Sequence, residues 1–339
     1  MAPIGNFTPK LTVAIPTYNR PAQLEKTLGL LLPQLNNQCF LRILDNNSEI
    51  PVKEYAEKII NEYNVQYEIV ANRINIGADS NIIRCFEYCE TEWLWLLSDD
   101  DEVVTNAIEI LFRDITIYPD AVNINYYSPG IFHPVRTETK IANGRLEFLR
   151  NIDFWGASIF LSVNLYNTNK LKNYWLVNHN TYSHCTQWLI VYYSVNENEQ
   201  TIQSDHILCY NPLTVSEHKY SSVNLSVARG FSTLLDLITS KTEKKILVSK
   251  LKSAVQEWIT FESIIKCLLV EYFRSDRQID IKFLVRRYFD LFYKYFGYKC
   301  ILKFYLYYAF IFISPDISFQ IIRKIILNKK GIDIDKFIS

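Results

Sequence analysis

Three consecutive aspartates, Asp99, Asp100 and Asp101, follow the apolar run WLWLLS at residues 93–98. Adjacent carboxylates repel one another, so such a cluster is costly unless it is solvated or neutralised by a cation. Mg²⁺ and Mn²⁺ prefer oxygen ligands and often bind proteins through one or two carboxylates together with substrate phosphates. The spacing of Asp99 and Asp101 therefore indicates a site for a metal-bound diphosphate, and a solvated acidic turn is the alternative.

Three earlier apolar runs of strand length, at residues 11–16, 41–45 and 67–71, also lead into polar residues. Helical patterns at residues 21–35 and 50–64 separate them. Repeated β-α-β units predict an α/β fold with a mainly parallel, Rossmann-like sheet and helices on both faces. Ligands bind such sheets at the carboxyl ends of the strands, so we expect a nucleotide there. The polar residues after the first three strands are Thr17, Tyr18, Asn19, Arg20, Asp45, Asn46, Asn47, Ser48, Asn72, Arg73, Asn75 and Gly77.

The pattern is looser after residue 121. Residues 122–127 and 156–167 each predict a strand, residues 181–195 a helix or buried apolar segment, and residues 206–218 a strand leaving the domain. Long helical runs begin near residue 222. We therefore expect an α/β, nucleotide-binding domain at residues 1–221 and a basic α-helical region at residues 222–339. Near the N-terminus, Asn19 is the predicted N-cap of the first helix, with Pro21 in the first turn.

Charge is distributed unevenly along the chain. Residues 1–240 contain 17 Lys and Arg against 26 Asp and Glu, a net charge of −9, whereas residues 241–339 contain 19 against 10, a net charge of +9. Residues 300–313 are too short an apolar run to span a bilayer, and residues 318–330 alternate apolar and basic side chains. We expect this region to bind an anionic membrane surface rather than nucleic acid, and a second helical core with a Lys-rich surface is the alternative.

The seven cysteines are odd in number and have no zinc-binding spacing, which favours reduced thiols. The N-terminus lacks the basic and apolar segments of a secretory signal. We therefore expect a cytoplasmic protein, peripheral on the inner face of the cell membrane.

The segments AIPTYNR, ILDNNS, NRINIGADSN and LLSDDD, in this order, resemble the N-terminal half of family 2 glycosyltransferases with the GT-A fold. The resemblance covers about residues 10–105. The later segments FWGASIFLSVNLYN and NTYSHCTQWLI, followed by a basic helical tail, are similar in layout to bacterial O-antigen sugar transferases.

This resemblance implies an inverting, metal-dependent transfer from a UDP-, CDP- or dTDP-sugar to a hydroxyl of a lipid-linked glycan in surface polysaccharide or O-antigen synthesis. Mn²⁺ or Mg²⁺ is the implied cofactor. The implied nucleotide-sugar-binding residues are Pro16, Thr17, Tyr18 and Arg20 along the nucleoside, Asp45 at the base, Asn72, Arg73, Asn75 and Gly77 near the base and diphosphate, and Asp99 and Asp100.

The metal ligands are expected to be Asp99 and Asp101, with Asp100 at the ribose. Where the family has D-x-D-D, however, this chain has Ser98 and then three aspartates, so the assignment is ambiguous by one position.

An inverting transfer needs a base that takes the proton of the acceptor hydroxyl. Members of the resembling family commonly have a Glu-Asp pair at the start of a late helix, and NTYSHCTQWLIVYY has none. His184 is the candidate base in that segment, and Asp153 is the carboxylate alternative. A hydrogen-bonded structural role is the alternative for His184.

Two other functions fit part of the pattern. A nucleotidyltransferase would also use metal-binding aspartates at strand ends, but it predicts a Gly-rich phosphate loop after the first strand, and IPTYNRP contains no glycine. A non-catalytic nucleotide-sugar-binding module is the second alternative.

Overall fold

The structure is a computed structural model that describes residues 9–129, 136–172, 181–210, 222–255, 293–295 and 317. The chain divides into two compact units, Met1–Thr214 and Val215–Ser339. Residues 211–221 lie outside the described residues, so the predicted domain limits at 1–221 and 222–339 stay predictions.

The first unit is built on an eight-stranded sheet with the order β3-β2-β1-β4-β8-β6-β9-β7. Six of these strands run parallel to one another, and β7 and β8 are antiparallel to their neighbours. The short strands β5 and β10 form a separate antiparallel pair. The strands are β1 (Leu11–Thr17), β2 (Cys39–Asp45), β3 (Gln66–Ala71), β4 (Trp93–Leu96), β5 (Glu102–Val103), β6 (Ala121–Tyr127), β7 (Lys140–Asn143), β8 (Asn164–Asn167), β9 (Gln200–Ile207) and β10 (Cys209–Tyr210).

Helices cover both faces of this sheet. Alternate residues of β1, including Val13 and Ile15, pack in one core with α1, α2 and α4, while α3 contacts β1 and β2 outside that core. This arrangement confirms the predicted α/β fold. The helices of the first unit are α1 (Pro21–Leu31), α2 (Val52–Ile60), α3 (Ala78–Glu87), α4 (Ala107–Ile117), α5 (Gly144–Asn151), α6 (Trp155–Ile159) and α7 (Thr186–Ser194).

The register of the parallel strands brings their carboxyl ends to one edge. Thr17 at the end of β1 pairs with Asp45 at the end of β2, and Asp45 pairs with Ala71 at the end of β3. β4 ends earlier, but the Leu97 N–H still donates to the Ala14 carbonyl at 3.0 Å. The residues after β4 therefore begin beside the end of β1, as the strand-end argument requires.

Two local predictions are wrong. Residues 156–167 are not one strand: α6 and a 3₁₀ turn come first, and the Asn164 side chain folds back to donate to the Phe160 carbonyl at 2.6 Å. Asn19 is not the N-cap of α1, because Arg20 occupies that position. Asn19 instead has φ 53°, and its Oδ1 accepts a hydrogen bond from the Glu49 N–H at 2.8 Å.

The described part of the second unit contains α8 (Ser222–Leu237) and α9 (Lys241–Val255). Lys294 Nζ lies 2.6 Å from Asp236 Oδ2 at the end of α8. Among the described residues, none of the helices is both long enough and apolar enough to cross a bilayer. Residues 300–313 and 318–330 lie outside the described residues, so the membrane-surface tail stays a prediction.

Candidate functional site

A cleft of about 370 Å³ lies where β1 and β2 end, beside the first turn of α3. Seven of its lining residues are among those predicted to bind a nucleotide sugar, and six are not. The predicted ones are Pro16, Thr17, Tyr18, Arg20, Asn75, Gly77 and Asp99. The others are Asn46, Ala78, Asn81, Ile82, Ser98 and Leu161.

One wall of the cleft carries Thr17, Arg20 and Asp99, and Asp100 lies next to them without lining the cleft. We call these four residues the carboxylate cluster. Thr17 Oγ1 donates to Asp99 Oδ2 at 2.6 Å. Arg20 Nη1 donates to Asp99 Oδ1 at 3.1 Å and to Asp100 Oδ2 at 2.7 Å. Burial raises the pKa of Asp99, and the contacts with Thr17 and Arg20 oppose that shift. The carboxylates of Asp99 and Asp100 thus share the guanidinium of Arg20.

Asp101 is placed differently from its two neighbours. It is buried and is not among the residues that line the cleft. Its Oδ2 accepts a 2.5 Å hydrogen bond from Ser162 Oγ. Burial, with a smaller contribution from the adjacent carboxylates, raises the pKa of Asp101 to about 7. The predicted roles of Asp101 at the metal and of Asp100 at the ribose stay predictions. Neither lines the cleft, but the Asp100 side chain is 24% exposed and contacts two lining residues, Arg20 and Ser98, so it is the more accessible of the two to a ligand in the cleft.

Thr27 of α1 holds the backbone of the turn at residues 99–101. Thr27 Oγ1 donates to the Asp99 carbonyl at 3.0 Å, with the Asp101 carbonyl 3.4 Å away. The side chain is buried. Sequence reasoning missed this residue, and the available signal was a threonine on the apolar face of α1, one residue before Leu28.

A second wall of the cleft is formed by Asn46, Asn75 and Asn81, and the buried Asn72 joins two of them. We call these four residues the asparagine network. Asn46 Nδ2 donates to Asn75 Oδ1 at 2.8 Å, and Asn46 Oδ1 accepts from Asn72 Nδ2 at 2.9 Å. Asn72 Nδ2 also donates to Asn81 Oδ1 at 2.9 Å. The network joins the ends of β2 and β3 to α3, so the amides lining the cleft are held in fixed orientations.

Gly77 leads from this network into α3. Its φ is +85°, a left-handed conformation that residues with a Cβ rarely adopt. Its N–H donates to Asn75 Oδ1 at 2.9 Å. The glycine therefore permits the sharp entry into α3 that brings Ala78 and Asn81 to the cleft.

Four of the residues predicted to bind the nucleotide sugar do not line the cleft: Asp45, Asn72, Arg73 and Asp100. Asp45 is buried, and its carboxylate accepts hydrogen bonds from the Ser48 N–H at 2.9 Å and the Val52 N–H at 3.3 Å, so it holds the loop between β2 and α2. Arg73 is exposed and makes no hydrogen bond or ion pair with the residues that the structure describes. Their binding roles stay predictions.

The two candidate bases both contact a group of opposite charge. His184 Nδ1 lies 3.1 Å from Asp79 Oδ2, in the first turn of α3. The hydrogen bond with Asp79 raises the pKa of His184, and partial burial opposes that shift. Asp153 accepts from Arg136 Nε at 2.7 Å and from Arg136 Nη2 at 3.2 Å. Sequence reasoning missed Asp79, and the only signal was its place in the segment NIGADSN.

The oxygen ligands available beside the cleft fit a divalent cation that binds together with a diphosphate. Within the described residues, no group of three or more His, Cys, Asp or Glu side chains is placed to hold a metal. Mg²⁺ bound with substrate phosphates needs only one or two carboxylates, however. Asp99 and Asp100 supply them, and Arg20 Nη1 already stands between them as a positive charge.

Comparison with known proteins gives two likenesses at the level of sequence. The sequence model of glycosyl transferase family 2 matches residues 12–188, just over half of the chain. Abequosyltransferase RfbV of Salmonella typhimurium is 29% identical over 103 residues, which are 30% of this chain and 31% of that protein. The match thus spans less than a third of this relative.

Crystal structures of S. aureus TarS are similar in fold. TarS 1-349 in complex with UDP-GlcNAc has a TM-score of 0.56 at 16% sequence identity, covering 84% of this chain and 87% of that chain. TarS 1-349 has a TM-score of 0.54 at 13% identity, covering 84% and 86% of the two chains. Together with the sheet described above, this likeness confirms the predicted GT-A fold.

Proposed function

Since the chain belongs to glycosyl transferase family 2 and is therefore a transferase, we propose that it moves a sugar from a nucleotide-sugar donor to a hydroxyl of a glycan acceptor. The observation that carries this proposal is the cleft, where the carboxylate cluster and the asparagine network face one space at the strand ends. A nucleoside diphosphate combines an anionic part with a polar, neutral part. The carboxylate cluster suits the anionic part through a divalent cation bound between them, and the fixed amides suit the polar, neutral part.

The donor is proposed to lie along Pro16, Thr17 and Tyr18, with the base and ribose near Asn46 and Asn75. Amides present both donors and acceptors, as the edges of a base and the ribose hydroxyls require. TarS is seen with UDP-GlcNAc, which supports a UDP-sugar among the UDP-, CDP- and dTDP-sugars that the sequence favours.

A divalent cation, Mn²⁺ or Mg²⁺, is proposed to be held by Asp99 and Asp100. When bound, it supplies positive charge that stabilises the leaving diphosphate. Asp101, bonded to Ser162, and Thr27 instead hold the turn that presents the two ligands.

Inverting transfer is proposed to use His184 as the base. Asp79 contacts Nδ1, so it orients the imidazole and leaves Nε2 as the nitrogen proposed to act as the base, as a carboxylate does beside a catalytic histidine. Nε2 takes the proton of the acceptor hydroxyl while its oxygen bonds to the anomeric carbon and the bond from that carbon to the diphosphate breaks. Asp153 is less suited, because Arg136 contacts both of its oxygens.

The acceptor is proposed to be a lipid-linked glycan of surface polysaccharide or O-antigen synthesis, used at the inner face of the cell membrane. The likeness to an abequosyltransferase supports a sugar transfer of this kind. The net charge of +9 over residues 241–339 supports attraction to an anionic surface.

A binding screen tests the proposal. We expect the full chain with Mn²⁺ to bind one of UDP, CDP, GDP and dTDP with a calorimetric signal that chelator abolishes, and to hydrolyse the corresponding sugar nucleotide slowly. Absence of binding to all four would overturn the donor site. Tight binding without any turnover would favour the non-catalytic module, and release of pyrophosphate from a nucleoside triphosphate would favour a nucleotidyltransferase.

A further inference from the structure

Arg20 makes an unusual contact for an arginine. Arginine commonly meets a carboxylate with two nitrogens in a parallel fork. Here the single atom Nη1 donates to two different carboxylates, Asp99 and Asp100, at 3.1 and 2.7 Å. One positive centre between two carboxylate oxygens resembles the contact that a metal ion makes.

From this contact, and resting on the proposed function, we infer that Arg20 is an exchangeable counter-ion of the metal site. In the nucleotide-free protein its guanidinium neutralises Asp99 and Asp100. When a divalent cation enters with the donor, the guanidinium leaves the carboxylates and contacts the donor diphosphate.

The charges of the cleft favour this exchange. Asp99, Asp100 and Arg20 sum to a formal charge of −1, which repels a diphosphate carrying two negative charges. A divalent cation changes the sum to +1. Metal and nucleotide therefore favour each other's binding, and the released guanidinium finds a new partner only when the diphosphate is present.

The structure allows the side chain to move while its backbone stays fixed. The Arg20 side chain is 47% exposed, whereas that of Asp99 is 5% exposed. Ion pairs with a half-exposed partner are weak, so breaking them costs little. Pro21 begins α1 directly after Arg20, and Thr17 holds Asp99 independently at 2.6 Å.

Removing the Arg20 charge should therefore change the affinities for metal and for nucleotide in opposite directions. Without nucleotide, Arg20 competes with the metal, so Arg20→Met is expected to bind Mn²⁺ alone about tenfold more tightly than the wild type, a change of about 1.4 kcal/mol. With Mn²⁺ present, the same variant is expected to bind nucleotide about tenfold more weakly, because the diphosphate loses a cation. The reciprocal coupling between metal and nucleotide should shrink accordingly.

The experiment measures free Mn²⁺ by electron paramagnetic resonance on the full chain, first with Mn²⁺ alone and then with the nucleotide that binds best among UDP, CDP, GDP and dTDP. Arg20→Lys keeps the charge and should stay within about threefold of the wild type for Mn²⁺ alone. Arg113→Met is the matched control, because Arg113 is also about half exposed, at 43%, and lies 2.9 Å from a buried aspartate, Asp114. Circular dichroism checks that each variant is folded.

Unchanged or weaker Mn²⁺ binding by Arg20→Met, or equal tightening in Arg113→Met, would overturn the exchange while leaving the proposed function standing. If the wild type binds no Mn²⁺ with any of the four nucleotides, the proposed metal site fails and the exchange fails with it.

Discussion

The two halves of the sheet use polar side chains in opposite ways. In the half formed by β3, β2, β1 and β4, the polar groups follow the strand ends, and many of them face the cleft. In the half formed by β8, β6, β9 and β7, polar side chains lie within the strands, and those of β6 and β8 are buried. Asn125 Nδ2 of β6 donates to Asn164 Oδ1 of β8 at 3.0 Å, and Asn123 Nδ2 donates to the Leu165 carbonyl at 3.0 Å.

Arg136 supplies further hydrogen bonds to the buried polar groups of β6 and β9. It donates to Asn125 Oδ1 at 2.6 Å and to the Ser204 carbonyl at 3.1 Å, and it pairs with Asp153. Buried polar groups need partners, and here the protein supplies them. The buried asparagines of β6 and β8 thus stabilise the fold, whereas several side chains just beyond the ends of β1, β2 and β4 line the cleft.

The largest effect should come from Asp99→Asn, next to the half of the sheet formed by β3, β2, β1 and β4, which we call the open half. The amide keeps the size of the side chain but removes the charge that neutralises a cation, so we expect kcat/KM to fall by about 10³-fold. Steady-state kinetics measures it, with thermal unfolding to show that the fold is kept. Glu102→Gln is the control in the same segment, because Glu102 lies at the surface, where Lys26 is its ion-pair partner among the described residues. A fall of less than tenfold in Asp99→Asn would place the charge outside the chemistry.

The second prediction concerns the other half of the sheet, formed by β8, β6, β9 and β7, which we call the closed half. Asn125→Ala leaves Arg136 and Asn164 without one partner each, so we expect the free energy of unfolding to fall by about 2 to 3 kcal/mol. Nucleotide affinity should stay unchanged. Urea unfolding and calorimetry measure the two quantities, with the exposed Asn61→Ala as control. Weakened nucleotide binding without loss of stability would contradict the division between the halves.

The smallest predicted effect concerns the Asp79–His184 pair, which joins the two halves. The hydrogen bond with Asp79 raises the pKa of His184, and a base acts only when deprotonated, so activity should rise with pH through that pKa. In Asp79→Asn the pKa falls, so the rising limb of kcat/KM should shift to lower pH. Its plateau should drop about tenfold, because the imidazole is less well oriented.

His184→Ala controls this prediction, since it should remove the rising limb altogether. A pH profile that is identical in the wild type and Asp79→Asn would assign the pair a structural role only.

Much of the open half follows from sequence because its signals are local. An apolar run of strand length followed at once by polar residues occurs four times, and β-α-β order sets the strands parallel. The edge of the sheet and most of the cleft residues from β1 and β4 follow directly. The single strand predicted at residues 156–167 was wrong because a short helix and a short strand can have the same apolar content. The contacts of Asn164 with the Ser158 and Phe160 carbonyls, which accompany the change from α6 to β8, exist only in the folded chain.

What the sequence determined by itself is therefore the α/β class, the four strand ends and the identity of the groups gathered there. Only the tertiary structure decided the partner of each aspartate: Ser162, 61 residues along the chain, donates to Asp101, while Arg20 donates to Asp100 and to Asp99, which lines the cleft. Thr27 and Asp79 acquire their roles in the same way. Adjacent aspartates look equivalent in a sequence. Their burial and pKa differ in the folded protein because side chains from distant parts of the chain bury them and hydrogen-bond to them to different extents.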